Sequence, residues 1–389
     1  MEHLTPPKPV KRRKVGITYI AFYDDYAAKE GGYVHFFEAA KRWHDFDIVF
    51  FAPEPARKRV AEELPNAAFV PIPGCDGLIK SRPVVFVLRM FAAAFTQRRK
   101  LREMDALYPF THQMADVFPA VVSAPRRTAV QVHHLMDKPW ERPGGLFHNS
   151  LAYISESLGV ALVRHWVKSV VVLNNLVAKK LRMPRDAKVF CSGSATWTFP
   201  IDRFAKPLGE RSGAAYVGRF HPSKGIDDMI DAWALVHLRV PEAKLTLVGT
   251  GDPEYVAHLR EKVLGHALAE HVIFAGQVDD EEKAAILGSS RAFVSGTREE
   301  GFGIAPAEAM AIGTPCVMYD LPVFDDVFPG GRMKVPIGDI AEFGDAIARL
   351  LTDDELFARL SGEARTVGQS FSWDKVAGVM EQTILQVSA

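Results

Sequence analysis

Short runs of β-branched and aromatic residues alternate with stretches of helical periodicity along the whole chain, and no other feature constrains the fold as much. Residues 15–21, 47–52, 128–132 and 169–173 in the first half read as buried strands, as do 244–248, 272–275, 292–295 and 315–319 in the second. Helical patterns lie between them. The clearest sets Ile226, Met229, Ile230, Trp233 and Val236 on one apolar face against Asp227, Asp228 and Asp231. Strand–helix alternation with few hairpin turns gives parallel sheets covered by helices. The chain has 389 residues. A single core stops growing near ~250–300, so two such α/β units are expected. The junction falls near 191–211, a stretch rich in Ser, Gly, Pro and charge. This divides the chain into 1–192 and 193–370, followed by the tail 371–389.

Charge adds one asymmetry. Lys and Arg number 47, as do Asp and Glu. A net charge of zero argues against a dedicated nucleic-acid binder. Yet residues 1–190 hold 29 Lys and Arg against 18 Asp and Glu, and the remainder reverses those numbers. Either the halves attract each other, or the basic half faces an anionic partner such as a phosphate or a lipid surface. No apolar run reaches the roughly 18 residues that span a bilayer. The segment 1–14 is basic and Pro-rich without the apolar core of a secretory signal. Cys75, Cys191 and Cys316 are far apart in sequence, so no zinc site or disulfide framework is expected, and a reducing cytoplasm is the default compartment.

Ligands of open α/β sheets bind beyond the carboxyl ends of the strands. Two such loops in the second half carry chemistry. Gly218 and Arg219 end a short strand, and Lys224 follows before a helix that starts near Gly225. Arg grips a phosphate bidentately, Lys adds a compact charge, and the helix start offers free amides. The competing reading is a solvated loop with two ordinary cations. After 292–295 comes a second loop with Glu300, Gly301, Phe302, Gly303 and Ile304, then Pro306, Glu308, Gly313 and Pro315. The glycines admit close backbone approach. Pro306 suits the first helical position and Gly313 the helix end. Two carboxylates beside an anion site suit a polyol that carries a phosphate.

The segment 219–315 resembles the donor-binding half of the retaining glycosyltransferases of family 4, also called glycosyl transferases group 1. It matches their Gly-Arg…Lys clamp at Gly218, Arg219 and Lys224. It matches their Glu-x7-Glu motif from Glu300 to Glu308, and the Glu-Ala-x-Ala-x-Gly-x-Pro run from Glu308 to Pro315. Phe371-Ser372-Trp373 matches a helix start common near the family's C-terminus. The resemblance implies the GT-B fold, two facing Rossmann-like domains with a cleft between them. It assigns 1–192 to the acceptor and 193–370 to the donor, with helix 371–389 crossing back to the first domain. It implies that Arg219 and Lys224 bind the donor diphosphate and that Glu300 meets the transferred sugar. Glu308 would hold the ribose, the amides of Gly301, Phe302, Gly303 and Ile304 would face sugar and phosphate, and Val278 would lie against the base. No metal and no cofactor are implied beyond the nucleotide diphosphate-sugar itself. Two departures concern the hinge and sugar pocket: Ser192-Gly193-Ser194-Ala195 replaces Asn-Gly-(Val/Ile)-Asp, and Ser295-Gly296-Thr297 replaces Pro-Ser.

The basic half offers fewer motifs. Gly31-Gly32 opens a helical pattern at 33–43, where the family often has a phosphate or acceptor loop; a plain turn is the alternative. His133 and His134 end the strand 128–132, where the family usually places one functional His, with His133 the better match by register. Asp137, Lys138, Glu141 and Arg142 read as a solvated loop. The run 83–95 is apolar and is followed by Arg98, Arg99, Lys100 and Arg102. It reads either as a core helix with a solvated basic end or as a segment that lies on an anionic lipid surface. Asp45-Phe46-Asp47 precedes its strand, the wrong end for a metal motif, and Gly249-Thr250-Gly251 lacks a third Gly.

The expected function is therefore retaining transfer of a sugar from a UDP- or GDP-sugar to a hydroxyl of a glycan or lipid-linked acceptor. The protein would work in the cytoplasm or at the inner face of the membrane. The rivals are a UDP-sugar epimerase on the same frame and a catalytically silent nucleotide-sugar-binding scaffold.

Overall fold

The structure, a computed structural model, describes residues 12–21, 31–74, 82–136, 139–140 and 146–388. The tract 1–11, Cys75 and the loop residues Asp137, Lys138, Glu141 and Arg142 lie outside them. The strands are β1 (Arg13–Thr18), β2 (Phe46–Pro53), β3 (Ala68–Ile72), β4 (Ala106–Leu107), β5 (Ala129–Val132), β6 (Ser169–Val172) and β7 (Lys188–Cys191) in the first half. In the second they are β8 (Ala214–Val217), β9 (Leu245–Val248), β10 (Val272–Gly276), β11 (Ala292–Ser295), β12 (Cys316–Tyr319) and β13 (Arg332–Val335).

All pairings are parallel, and the two halves repeat one topology. The first sheet runs β3-β2-β1-β4, and the parallel bridge between Leu107 and Thr128 leads on to β5-β6-β7. The second runs β10-β9-β8-β11-β12-β13. In each, the first strand sits in the middle and the order reverses beside it, between β1 and β4 and between β8 and β11. That reversal opens a crevice at the carboxyl ends of the strands. Every residue of β5, β6, β11 and β12 is buried, because helices cover both faces. The two-Rossmann expectation is met.

Each half has its own core. In the second, Ile230, Trp233, Leu247, Phe343 and Ile347 pack between the helix Ile226–Arg239 and the sheet. In the first, Phe36, Phe37, Phe50, Tyr108 and Phe110 form an aromatic cluster. Trp373, Val376, Met380 and Ile384 join that same cluster from the last helix, Trp373–Leu385. Arg42 also pairs with Asp374 at 3.3 Å, and Ser169 Oγ donates to Thr383 O at 3.3 Å. The chain thus crosses to the second sheet between 191 and 214 and returns to the first after 369.

One local reading is corrected. Pro306 is the third residue of the helix Ile304–Ala311, not the first. Gly303, at φ 95°, turns the chain so that the helix begins two residues earlier. Proline is tolerated there because the first four amides of a helix have no internal partner. The helix end is as expected: Gly313 at φ 81° donates to Met310 O at 2.8 Å, and Thr314 donates to Ala309 O at 2.9 Å.

Candidate active site

The two loops singled out in the second half touch through glycines. Gly225, at φ 63°, caps the helix Ile226–Arg239, and a Cβ placed on it would lie 2.0 Å from Gly296 O. Only a residue without a side chain lets the β8 loop lie flat on the β11 loop. Arg298 N donates to Ser223 O at 3.0 Å across the same junction. Lys224 consequently reaches Glu300, Nζ to Oε2 2.9 Å, with both side chains about one-quarter exposed. Arg219 is exposed at the rim, its carbonyl receiving the hydroxyl of Tyr216 at 3.2 Å.

Glu308 lies one turn into the helix and is buried. Burial raises its pKa, with Lys283 opposing the rise. Lys283 Nζ is 2.8 Å from Glu308 Oε1 and stands 4.7 Å from the centre of the Trp197 ring, whose Nε1 donates to Glu308 O at 3.1 Å. Burial alone would lower the Lys283 pKa; the charge and hydrogen bonds of Glu308, with a further bond to Asp280, leave it raised. Val278 lies in the loop after β10, half-buried, just before Asp279 caps the next helix through the amide of Glu282 at 2.8 Å.

The first half closes over these loops. His134 Nε2 lies 3.3 Å from Glu299 Oε1, and a Cβ on Gly301 would meet His134 Cβ at 3.2 Å. Asn174 donates from Nδ2 to Gly301 O at 2.7 Å while its Oδ1 caps the helix Asn175–Leu181 through Val177 N at 2.9 Å. Asp326 reaches across to the amides of Asn175 and Leu176 at 2.6 and 3.3 Å. His133 takes a different place from His134. Its ring meets that of His35 edge-on at 5.4 Å, and Nε2 is buried without a hydrogen-bond partner among the described residues. Burial holds its pKa well below the usual value, with the charges of His35 and His112 adding to the effect. Gly31 and Gly32 form the start of the helix Gly31–Ala40. The carboxyl end of β1 is held by Asp116, which accepts from the amides of Ile20 and Ala21 at 2.6 and 3.0 Å.

The structure therefore brings Lys224, Glu300, Gly301, Phe302, Gly303, Ile304 and His134 to one place and sets Glu308 just behind them. Lys283, Trp197, Asn174 and Glu299 join the site without having been anticipated. Their partners lie 25 to 165 positions away in sequence. No local spacing signals them.

Two parallel sheets with a shared strand order, each open at the carboxyl ends of its strands, define the GT-B fold. Residues 199–367 match the family described as Glycosyl transferases group 1. The chain is 37% identical over 220 residues to a phosphatidyl-myo-inositol mannosyltransferase of Mycobacterium leprae, covering 56% of this chain and 54% of that protein. It is 29% identical over 234 residues to a D-inositol 3-phosphate glycosyltransferase of Jonesia denitrificans, with the same coverage of each chain. The chain thus spans about half the length of the curated relatives it matches. Among solved structures, it resembles a sucrose-phosphate synthase of Thermosynechococcus elongatus at TM-score 0.73 and 20% identity, over 95% of this chain and 98% of that one. It also resembles Anabaena HepE in complex with UDP at TM-score 0.72 and 16% identity, over 96% and 99%. These structural likenesses concern the fold.

Proposed function

We propose that the protein is a metal-independent, retaining glycosyltransferase that takes a sugar from a UDP- or GDP-sugar and delivers it to a hydroxyl of a polyol or glycan carried by a membrane lipid. The observation that carries this reading is the backbone contact of Gly225 on Gly296, which sets Lys224 beside Glu300 at the mouth of the cleft. In this reading Arg219, Lys224 and the amides of the 301–304 turn hold the diphosphate. They favour its departure by stabilising the charge that develops there. Glu300 orients the sugar hydroxyls and Glu308 the ribose. The bond from the anomeric carbon to the phosphate oxygen breaks as the bond to the acceptor oxygen forms on the same face. The acceptor proton passes to the departing phosphate, and a nucleoside diphosphate is released. His134, already at the loop, meets the sugar from the first half. Closure of the halves excludes water that would otherwise hydrolyse the donor.

A lipid-borne acceptor is favoured by the surface of the first half. The helix Arg82–Thr96 buries Met90, Ala93 and Ala94 and exposes Val84, Val87, Leu88, Phe91 and Phe95 along its other side. The exposed basic residues Arg98, Lys100 and Arg102 follow directly. Among the described residues no helix is long and apolar enough to cross a membrane. An apolar stripe bordered by cations suits binding in the plane of an anionic bilayer. Both relatives named above carry inositol derivatives in their names, which supports a polyol phosphate acceptor.

The test is nucleotide release from a panel of UDP- and GDP-sugars, with and without phosphatidylinositol vesicles. Release from one donor, stimulated by lipid and abolished by Lys224→Ala with the fold intact, is the expected result. A changed sugar without nucleotide release would establish the epimerase instead.

A further inference from the structure

At the end of the second sheet opposite the donor loops, a pocket of about 450 Å³ opens between the segment before β8, the end of the helix Ile304–Ala311 and the helix Asp354–Gln369. Its lining includes Lys206, Pro207, Leu208, Arg211, Ile312 and Arg365. Arg211 is buried, and every acceptor it meets is neutral. Nε donates to Lys206 O at 2.9 Å, Nη1 to Gly313 O at 3.0 Å and Thr314 Oγ1 at 3.2 Å, and Nη2 to Ile312 O at 3.1 Å. A guanidinium has five N–H groups, so Nη2 keeps one for another acceptor. Arg365 pairs with Asp202, a carboxylate that is 80% exposed. Lys206 is exposed and forms no ion pair among the described residues. Three cations thus line the pocket, and Asp202, which pairs with one of them, faces solvent outside that lining.

A buried charge without a counterion is costly. Burial pulls the Arg211 pKa below its ordinary value, and the charge of Arg365 pulls in the same direction. An anion between the three side chains would relieve both effects. The space and the walls say more about that anion. The pocket lies within the roughly 300–1,000 Å³ of small-molecule sites, and Pro207, Leu208, Ile312 and Ala358 give it apolar sides. A bare inorganic ion would leave those walls unused.

We infer that this pocket is a second anion site, separate from the donor cleft, that binds a small phosphate ester through Lys206, Arg211 and Arg365. The phosphate accepts a hydrogen bond from the remaining Nη2 N–H of Arg211 and lies beside the charges of Lys206 and Arg365, and the organic part rests against Pro207 and Leu208. The site also adjoins the carbonyl end of the helix that carries Glu308, since Arg211 grips Ile312 and Gly313 there.

The probe is glucose 6-phosphate, titrated calorimetrically into the full chain, with inorganic phosphate and glucose as companions. Because Arg219 and Lys224 would also attract phosphate, each titration is repeated in an Arg219→Ala/Lys224→Ala variant. Glucose 6-phosphate is expected to bind the wild type and that variant alike, and to bind at least tenfold more tightly than either companion. Lys206→Ser/Arg365→Ser, two changes at exposed or half-exposed positions, is expected to weaken it tenfold or more without altering thermal unfolding. The inference is overturned if binding disappears in the Arg219/Lys224 variant, if it survives in the Lys206/Arg365 variant, or if glucose 6-phosphate binds no better than phosphate or not at all. Each readout is of binding, so the result is independent of whether the chain transfers a sugar.

Discussion

Asn174 on the first half donates from Nδ2 to the carbonyl of Gly301 on the second, at 2.7 Å. The same side chain caps its own helix through Oδ1, so its orientation is fixed before the second half arrives. The carbonyl it holds belongs to the turn whose amides face the proposed diphosphate.

Asn174→Asp separates these two roles. Aspartate caps a helix as well as asparagine does, but it has no N–H to give and places a carboxylate against a carbonyl oxygen. Losing a hydrogen bond and leaving a polar group unmatched costs about 1–3 kcal/mol. Steady-state assays should show donor turnover reduced tenfold or more, while the urea midpoint shifts little. Turnover within twofold of wild type would mean that the turn at Gly301 holds its shape without Asn174.

Gly225→Ala tests the contact between the loops. The new Cβ would meet Gly296 O at 2.0 Å, and the backbone there has φ 63°. A non-glycine residue pays roughly 1–2 kcal/mol for that conformation alone, and the clash adds to it. Denaturation should show a loss of at least about 2 kcal/mol, with nucleotide affinity lowered as Lys224 moves from Glu300. Gly209→Ala is the control, since its Cβ would meet nothing within 4 Å. A Gly225→Ala protein as stable and active as the control would remove the contact from the account of the site.

Acid should weaken the first half through His35. Burial lowers its pKa from 6.5 to about 4, against a hydrogen bond that the ring donates to the Gly193 backbone carbonyl. The unfolded chain takes up this proton below pH 6.5 and the folded protein holds out until about 4. The stability is therefore complete above 6.5 and is lost as the pH falls through that window, at about 1.4 kcal/mol per unit. Asp116 acts in the opposite sense. Burial raises its pKa to about 6 against the bonds it accepts, so the folded state takes up that proton first and gains stability between pH 6 and 3.8. The two effects overlap, and only a difference isolates His35. Urea denaturation of wild type and His35→Gln should give a stability difference that changes by about 2 kcal/mol between pH 7.5 and 5. A constant difference would show that His35 is protonated alike in both states.

The apolar stripe should direct the protein to lipid. Phe95 is 72% exposed and stacks with Phe91 at 6.2 Å. In co-sedimentation, vesicles containing phosphatidylserine or phosphatidylinositol should retain the wild type and neutral vesicles should not. Phe91→Ser/Phe95→Ser should lower retention at least fivefold with the fold unchanged, and Arg98→Glu/Lys100→Glu should do so in a salt-dependent way. Equal retention of all three proteins would place any membrane contact elsewhere.

The strands most plainly legible in the sequence are those covered on both faces, although the edge strand β10 is legible too. β5, β6, β11 and β12 are buried along their whole length and apolar except for Gln131, Ser169 and Ser295. β3, β7 and β13 went unread. Each is an edge strand; AFVPI and RMKV have one buried position each and KVFC has none, so no clean period shows. β4 has only two residues, too short for any pattern. The site divides in the same way. Arg219, Lys224, Glu300 and Glu308 stand at fixed offsets from glycines and a proline, so the loop geometry was written locally. Lys283 and Asn174 act through partners brought by the packing of helices and of the two halves, which no window of sequence contains.

The return of the last helix to the first core changes what the C-terminus is. Trp373, Val376, Met380 and Ile384 share a core with Phe36 and Phe50, so the second half is, in effect, inserted into the first and fastened at both ends. Two adjacent connections restrict relative motion to bending about one line, as two hinges restrict a door. A chain stopped at 370 would not simply lack a tail. It would be one whose first half has lost a wall, and it should fail first in the core that the last helix completes.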